Sequence, residues 1–342
     1  MERKRLITRI AFLGLLFVLL WAANPDSIAA APASHPEVKI NILAAGMGGE
    51  GYIMSFALAD IVNKTHPWLR LRGMETTGIA ENLKSLAKEP ERRPNTIIFA
   101  SLAAYHQAKI GAPPYGVPYD SVRLIALFSA SRCFAATVNP NLKTWKDLVG
   151  KKVGIFPKGS SGIIEWESML KYGYGINPKE IDWMYLPPGP GIDALSDGRL
   201  AATWAQVGPP PLNAPQSALQ ALLTTRDVYF VGFSEAAAKE ARKNSGYPTY
   251  VAEVPAGTYT PKQAKIFGHL QFMSWWADLA MDKEIVYEVT KTIYENVDKF
   301  ANYHTLGKSV TKAGLAQIGV EGIFHPGALK LYKEKALKIG LE

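Results

Sequence analysis

Gly46-Met47-Gly48-Gly49-Glu50-Gly51-Tyr52 follows a short apolar-rich strand predicted over residues 38–44 and precedes a helix predicted over residues 53–64. Glycines let a chain turn tightly and let a ligand approach the backbone closely. A helix starting beyond such a turn presents unbonded N–H groups and the positive end of its dipole. The stretch is therefore a ready site for an anion or a carboxylate.

The alternation of strand and helix continues outward from this turn. Strands are predicted over 69–76 and 96–100, and helices over 79–88 and 102–109. Two apolar runs, 122–130 and 133–138, are separated by Ser131-Arg132. A second alternating unit follows, with strands at 152–156, 181–186, 200–205 and 228–231 and helices at 161–172, 191–197, 212–223 and 235–244. Such alternation argues for parallel sheets with crossover helices. The last third differs: extended segments at 250–254 and 266–276 precede a long helix over 283–301, whose Ile285, Val286, Val289, Ile293, Val297 and Phe300 fall at helical spacing. No linker divides the chain into beads. The expected architecture is α/β with two lobes, the first from residues 34–130 plus 250–342 and the second from 131–249. Ligands of open α/β sheets bind beyond the carboxyl ends of the strands, which places a cleft between the lobes.

The N-terminal residues read as an address rather than as part of this fold. Arg3, Lys4, Arg5 and Arg9 precede an uncharged apolar run over 10–23, and small residues follow around Ala29-Ala30-Ala31. That is the layout of a secretory signal peptide over residues 1–33, cleaved between Ala29 and Ala33. The run is shorter than the about 20 residues that span a bilayer, which argues against an uncleaved anchor. Removing residues 1–33 takes away four positive and two negative charges and leaves a net charge of about +6 from the whole chain's +8. The lysines and arginines are scattered, which argues against a nucleic-acid surface. Cys133 is the single cysteine, so neither an internal disulfide nor a cysteine-based metal cluster is expected. The six histidines have no metal-ligand spacing. A periplasmic monomer without cofactor or metal is expected.

Gly46, Gly48 and Gly51 also satisfy the G-x-G-x-x-G spacing of dinucleotide-binding folds, with Glu75 near the end of the next strand as a candidate ribose-binding acid. Export argues against that reading, since no twin-arginine pair marks the chain for export already folded around a cofactor. A glycine turn that binds nothing is the plainer alternative. The second polar turn, Pro157-Lys158-Gly159-Ser160-Ser161-Gly162, offers hydroxyls and amides at a helix start, where Ser160 or Ser161 is either a helix cap or a carboxylate contact. Its glycines do not fit a G-x-S-x-G nucleophile elbow. An exported enzyme on a related fold is the other class to separate.

Taken together, the motifs resemble the TAXI subfamily of solute-binding receptors of tripartite ATP-independent periplasmic (TRAP) transporters. The resemblance runs in order through Gly46 to Tyr52, Gly78-Ile79-Ala80-Glu81-Asn82-Leu83, Phe99-Ala100-Ser101, Asp147-Leu148-Val149-Gly150-Lys151-Lys152-Val153, Lys158 to Gly162, Asp197-Gly198 and Pro255-Ala256-Gly257-Thr258-Tyr259. It implies a two-lobed periplasmic-binding-protein architecture of type II, capture of a small anionic solute, delivery to a TRAP integral-membrane permease, and no enzymatic activity. Leu102 stands where relatives carry an aspartate, Ala201 where they carry an acid, and Ile79-Ala80 where a small polar pair is usual. These departures point to an organic acid without an amine as much as to an acidic amino acid. The resemblance implies ligand contacts from Gly48, Gly49, Tyr52, Gly78, Glu81, Asn82 and Ser101 in the first lobe. Ser160, Ser161 and Gly162 would meet the ligand from the second, with Trp204 and Gln206 as a wall. Arg132, interrupting an apolar crossing region, is either a bidentate carboxylate clamp or a structural hinge contact. Glu81 is either a ligand contact or a helix-end residue.

Overall fold

The computed structural model describes residues 35–340 except Gly48, Pro210, Pro211, Gly319 and Val320. The expected signal peptide and the Gly48 contact lie outside the described residues. The chain opens with β1 (Val38–Leu43), α1 (Glu50–Thr65), β2 (Leu69–Met74), α2 (Ile79–Lys88), β3 (Thr96–Ser101) and α3 (Leu102–Lys109). β1 pairs in parallel with both β2 and β3. β3 is buried at every position, as a strand covered on both faces must be.

α1 begins at Glu50, three residues before its expected start. Gly51 lies inside it because a Cβ there would sit 2.2 Å from the Phe99 ring on β3. A glycine that reads as a helix breaker is what lets this helix approach the sheet.

β4 (Val122–Thr137) is one unbroken strand of 16 residues, not two runs split at Ser131-Arg132. Ser131 and Arg132 are both buried within it. At about 3.3 Å per residue such a strand runs about 50 Å, enough to pass through two lobes. Its antiparallel partner is β10 (Ile266–Asp278). β10 inserts between β3 and β4, antiparallel to both, so the sheet is mixed rather than purely parallel. Register shifts at Met273/Ser274 and Trp275/Trp276 bend the pair.

The second lobe is built on the far half of β4. Arg132–Ala136 pairs with β7 (Ala202–Val207), which lies beside β5 (Lys152–Ile155) and then β6 (Asp182–Tyr185). α4 (Ser161–Ser168), α5 (Pro188–Ser196), α6 (Ser217–Thr225) and α7 (Glu235–Ser245) cover it, and β8 (Tyr229–Val231) pairs with the end of β4. α6 starts five residues later than expected. Pro215 disfavours helix at Ala214, and the chain before α6 is extended, with the Gln216 N–H donating to the Gln206 carbonyl. β9 (Val251–Val254) pairs with the start of β10. α8 (Lys283–Glu295), capped by Asp282, ends earlier than expected where Asn296 donates back to the Thr292 carbonyl. α9 (Pro326–Glu334) packs on α8.

Three hydrophobic cores result. The largest lies around β1, β3, the near half of β4 and β10, with Phe128, Trp275 and Trp276 inside. The second is an aromatic cluster of Trp145, Phe156, Trp166, Trp204 and Phe233, and the third surrounds Phe134 and Leu219. The segment from Tyr250 to Val254 straddles them: Tyr250 and Ala252 pack on the first core, Val251 and Val254 on the other two.

Candidate ligand-binding cleft

Several strand ends and helix starts converge on one cavity of about 510 Å³. Its size is ordinary for a small-molecule site. One side comes from Ala45 after β1 and from the turn and first residues of α2, Thr77 to Glu81, with Lys84 one turn further on. The facing side is Pro157 to Ser161, the turn that opens α4. The floor is the crossing strand β10, through Gln271 and Met273. Phe99, Ile79, Met273 and Tyr115 supply apolar surface, while Gln107 and Gln271 add amides.

The helix starts at this cavity lack side-chain caps. α2 has Gly78 at its N-cap, with φ +127° and ψ −167°, a conformation that suits only glycine; α4 has Ser160 there, and its hydroxyl accepts nothing from the helix. α3, by contrast, is capped by Ser101, whose Oγ accepts from the Ala104 N–H at 3.2 Å. First-turn N–H groups of α2 and α4 therefore lack the side-chain acceptor that would normally satisfy them. With the helix dipoles they form a positive rim on both sides of the cavity. Lys84 and Lys158 line the cavity, one from each side; the Lys158 Nζ lies 5.4 Å from the Tyr185 ring centroid, and no carboxylate among the described residues lies within ion-pair distance of either. Glu81 is the acid on the lining.

The expected site residues divide into three groups. Gly78, Glu81, Ser160 and Ser161 line the cavity. Ser101 stands immediately behind, its Oγ 2.9 Å from that of Ser161, so the two sides touch at this point. Asn82 is fully buried and holds the strand ends together, its amide nitrogen within 2.7–3.1 Å of the Leu43, Ala44 and Phe99 carbonyls. Gly49 is the N-cap of α1, and Tyr52 stacks on Phe56 with ring centroids 4.3 Å apart; neither lines the cavity.

The rest do not reach the lining. A Cβ at Gly162 would meet the Phe156 ring at 2.8 Å, so that glycine serves packing. Trp204 is buried against Phe156 and donates to the Leu186 carbonyl at 2.9 Å, which makes it a core wall. Gln206 lies on β7 opposite Cys133. Arg132 is 2 % exposed; it donates to the Gly208 carbonyl at 2.7 Å, the Glu253 carbonyl at 3.1 Å and the Asn213 side chain. Both terminal nitrogens of the guanidinium are engaged by these acceptors, the buried Nε makes no hydrogen bond, and the residue lies off the lining. Glu75 accepts from the Met47 N–H at 3.0 Å, so the candidate ribose acid closes the glycine turn on itself.

Lys84, Gln107, Tyr115, Gln271 and Met273 were not anticipated. A sequence signal existed for one of them: Gln271 is a lone amide inside the apolar run of β10. Around the cleft, burial raises the Tyr115 phenol above its ordinary range. The Glu50 carboxyl at the start of α1 is held above the usual carboxylate range by burial, partly offset by the Ser129 hydroxyl. The Cys133 thiol is pushed well up, first by burial and then by the Glu165 and Glu50 charges, so it is a poor nucleophile. Among the described residues no group of three His, Cys, Asp or Glu could hold a metal ion, and no helix is long and apolar enough to cross a membrane. A larger cavity of about 750 Å³ lies around β8 and the chain before β10, and none of the expected residues line it.

Two lobes joined by two long crossing strands, with the cavity where strand ends and helix starts meet, constitute the fold of periplasmic solute-binding proteins. Residues 42–336 match the NMT1-like family, and the chain belongs to it. In fold it is similar to a TctC solute-binding protein from Polaromonas, solved without ligand, with a TM-score of 0.51 at 13% identity over 82% of this chain and 90% of that one. The periplasmic aliphatic sulphonate binding protein SsuA from Escherichia coli overlaps 89% of this chain and 94% of its own, at 14% identity and a TM-score of 0.45.

Proposed function

We propose that the chain is an exported solute-binding protein, not an enzyme, that captures a small organic anion between its lobes and delivers it to a TRAP-type permease as a TAXI-subfamily receptor. One observation carries the reading: two helix starts without side-chain caps and two lysines free of ion pairs, one of each from either side, line the same cavity. Closure around an anion would bring both positive rims onto it, and contacts available only in the closed form shift the population towards that form. Lobe I is taken as residues 34–130 and 250–342 and lobe II as 131–249, with β4 and β10 as the two connections. Periplasmic residence follows on this reading from the signal peptide. The dinucleotide alternative loses its acid, because Glu75 is engaged by the turn itself.

The test is a thermal-shift screen of the chain from residue 34 onward against mono- and dicarboxylates, acidic amino acids and NAD. A ligand at 100 times its dissociation constant adds about 2.7 kcal/mol of stability. Organic acids are expected to raise the melting temperature, and Lys84→Met/Lys158→Met is expected to abolish the shift while leaving the unliganded melt in place. A shift with NAD alone, or with no acid, sinks the proposal. Delivery to a TRAP permease is checked by uptake of the identified acid into vesicles carrying the permease, which should need an ion gradient and not ATP.

A further inference from the structure

The buried pair Glu165 and His269 lies outside the cavity lining, yet it connects the two elements that shape the cavity. Glu165 is on α4, four residues after Ser161, so the two side chains share one face of the helix. His269 is on the crossing strand β10, two residues before the floor residue Gln271 and therefore on the same face of that strand. The Nε2 of His269 lies 3.2 Å from Oε1 of Glu165, at ion-pair distance without hydrogen-bond geometry, and the side chains are 0% and 2% exposed. The neighbourhood on β10 is rigid. A Cβ at Gly268 would lie 2.7 Å from the Cβ of Arg132 on β4, so the two crossing strands are in close contact there. α4 has no side-chain cap at its start and runs into a π-helical turn, Met169–Gly173, at its end. The helix is also held by Trp166 in the aromatic core and by Gly162 against the Phe156 ring, and its π-helical end packs on α7 through Gly173 and Ala237; the Glu165–His269 contact adds a link to the crossing strand.

We propose that Glu165 and His269 are a positioning pair: they lock α4 onto the crossing strand and so set where Ser161 and the α4 amides stand in the cleft. Ser161 then meets Ser101 at 2.9 Å because the helix that carries it is held one turn further on. The opposite lobe contributes its own fixed point, since Ser101 is the N-cap of α3. Removing one partner leaves a buried polar group without its mate, which favours a shift of the helix over retention of its position. The proposal rests on the reading of Ser161 as a cleft residue, but its test needs no cargo, so the two can fail separately.

The test introduces Ser101→Cys and Ser161→Cys together in a Cys133→Ala background. The equilibrium between the dithiol and the disulfide in a glutathione buffer then gives the effective concentration of one thiol at the other, which reads the register of the two sides directly. Glu165→Ala and His269→Ala are each expected to lower it at least tenfold. Glu165→Gln, which keeps an oxygen facing Nε2, is expected to stay within threefold of the parent. A merely stabilising role would change the melt of Glu165→Gln and Glu165→Ala without separating them in this readout. An unchanged effective concentration in Glu165→Ala, or a fall in Glu165→Gln as large as that in Glu165→Ala, overturns the assignment. If Glu165→Ala does not fold, His269→Ala decides, because it leaves α4 with its own sequence.

Discussion

Arg132 separates two meanings of a buried arginine. Its two terminal nitrogens donate to the Gly208 and Glu253 carbonyls and to Asn213, all neutral acceptors, while its buried Nε makes no hydrogen bond, in a region where the sequence offered a carboxylate clamp. Asp and Arg residues that recognise ligands and those that hold loops look alike in a sequence, because the acceptors lie 76 and 121 residues away. A buried carbonyl left without a donor costs about 1–3 kcal/mol. Arg132→Met, which keeps most of the volume and removes every donor, is therefore expected to lower the unfolding free energy by about 2–4 kcal/mol in urea titrations. Affinity for the acid found by thermal shift should be unchanged within threefold. A variant of full stability with lost affinity would restore the clamp.

Between elements, α1 lies close against β3 beside the cleft. At Gly51 the helix backbone lies so close to the Phe99 ring that a methyl group has no room. Phe99 also lines the cavity, so this packing couples the first core to the ligand surface. Gly51→Ala gains helix propensity of about 1 kcal/mol, yet overpacking costs about 1–3 kcal/mol and displaces the ring. Net destabilisation is expected on calorimetry, and Phe99→Leu in the same chain should recover part of it, with a coupling of at least 0.5 kcal/mol in the double-mutant cycle. Strictly additive effects would show that the two residues do not meet. The same contact explains what could be read from the sequence. α2 and α3 were legible to the residue, since their apolar spacing and flanking turn residues are local signals. The start of α1 was not, because Gly51 is favoured by a neighbour 48 residues away. β4 read as two strands because Ser131 and Arg132 are polar; inside the one strand Ser131 lies 3.3 Å from the Ser129 hydroxyl and Arg132 reaches distant acceptors. Of the two turns read from glycines and serines, Pro157–Ser161 lies on the cleft, whereas none of the described residues of Gly46–Tyr52 lines it. Lys84 had no signal and Gln271 showed only as a lone amide in an apolar run, since neither segment reveals that a helix flank and a crossing strand meet at the same cavity.

At the scale of the whole molecule, the two crossing strands decide whether the lobes unfold together. β4 carries Leu127 and Phe128 into the first core, and five residues later Cys133 and Phe134 into the other two. Between them Arg132 pairs with Leu270 on one side and with Val207 on the other. Unfolding the second lobe alone would strip that half of β4 of its partners and expose the edge of the surviving sheet. It would also release the Arg132 contacts with Gly208 and Glu253. Multi-domain chains often depart from two-state behaviour, but a strand shared by all the cores opposes that separation. The measurement is native-state hydrogen exchange on a protein weakened only in the second lobe. Phe156 is 1 % exposed between Trp166 and Trp204, and Phe156→Leu there removes about 1.4 kcal/mol of packing. That energy is about tenfold in an equilibrium constant. If opening is global, the slowest amides of β1 and β3, in the first lobe, speed up tenfold along with those of β5 and β7. Acceleration confined to β5 and β7 would mean that the second lobe opens by itself and that the crossing strands act as a tether, not as a shared frame.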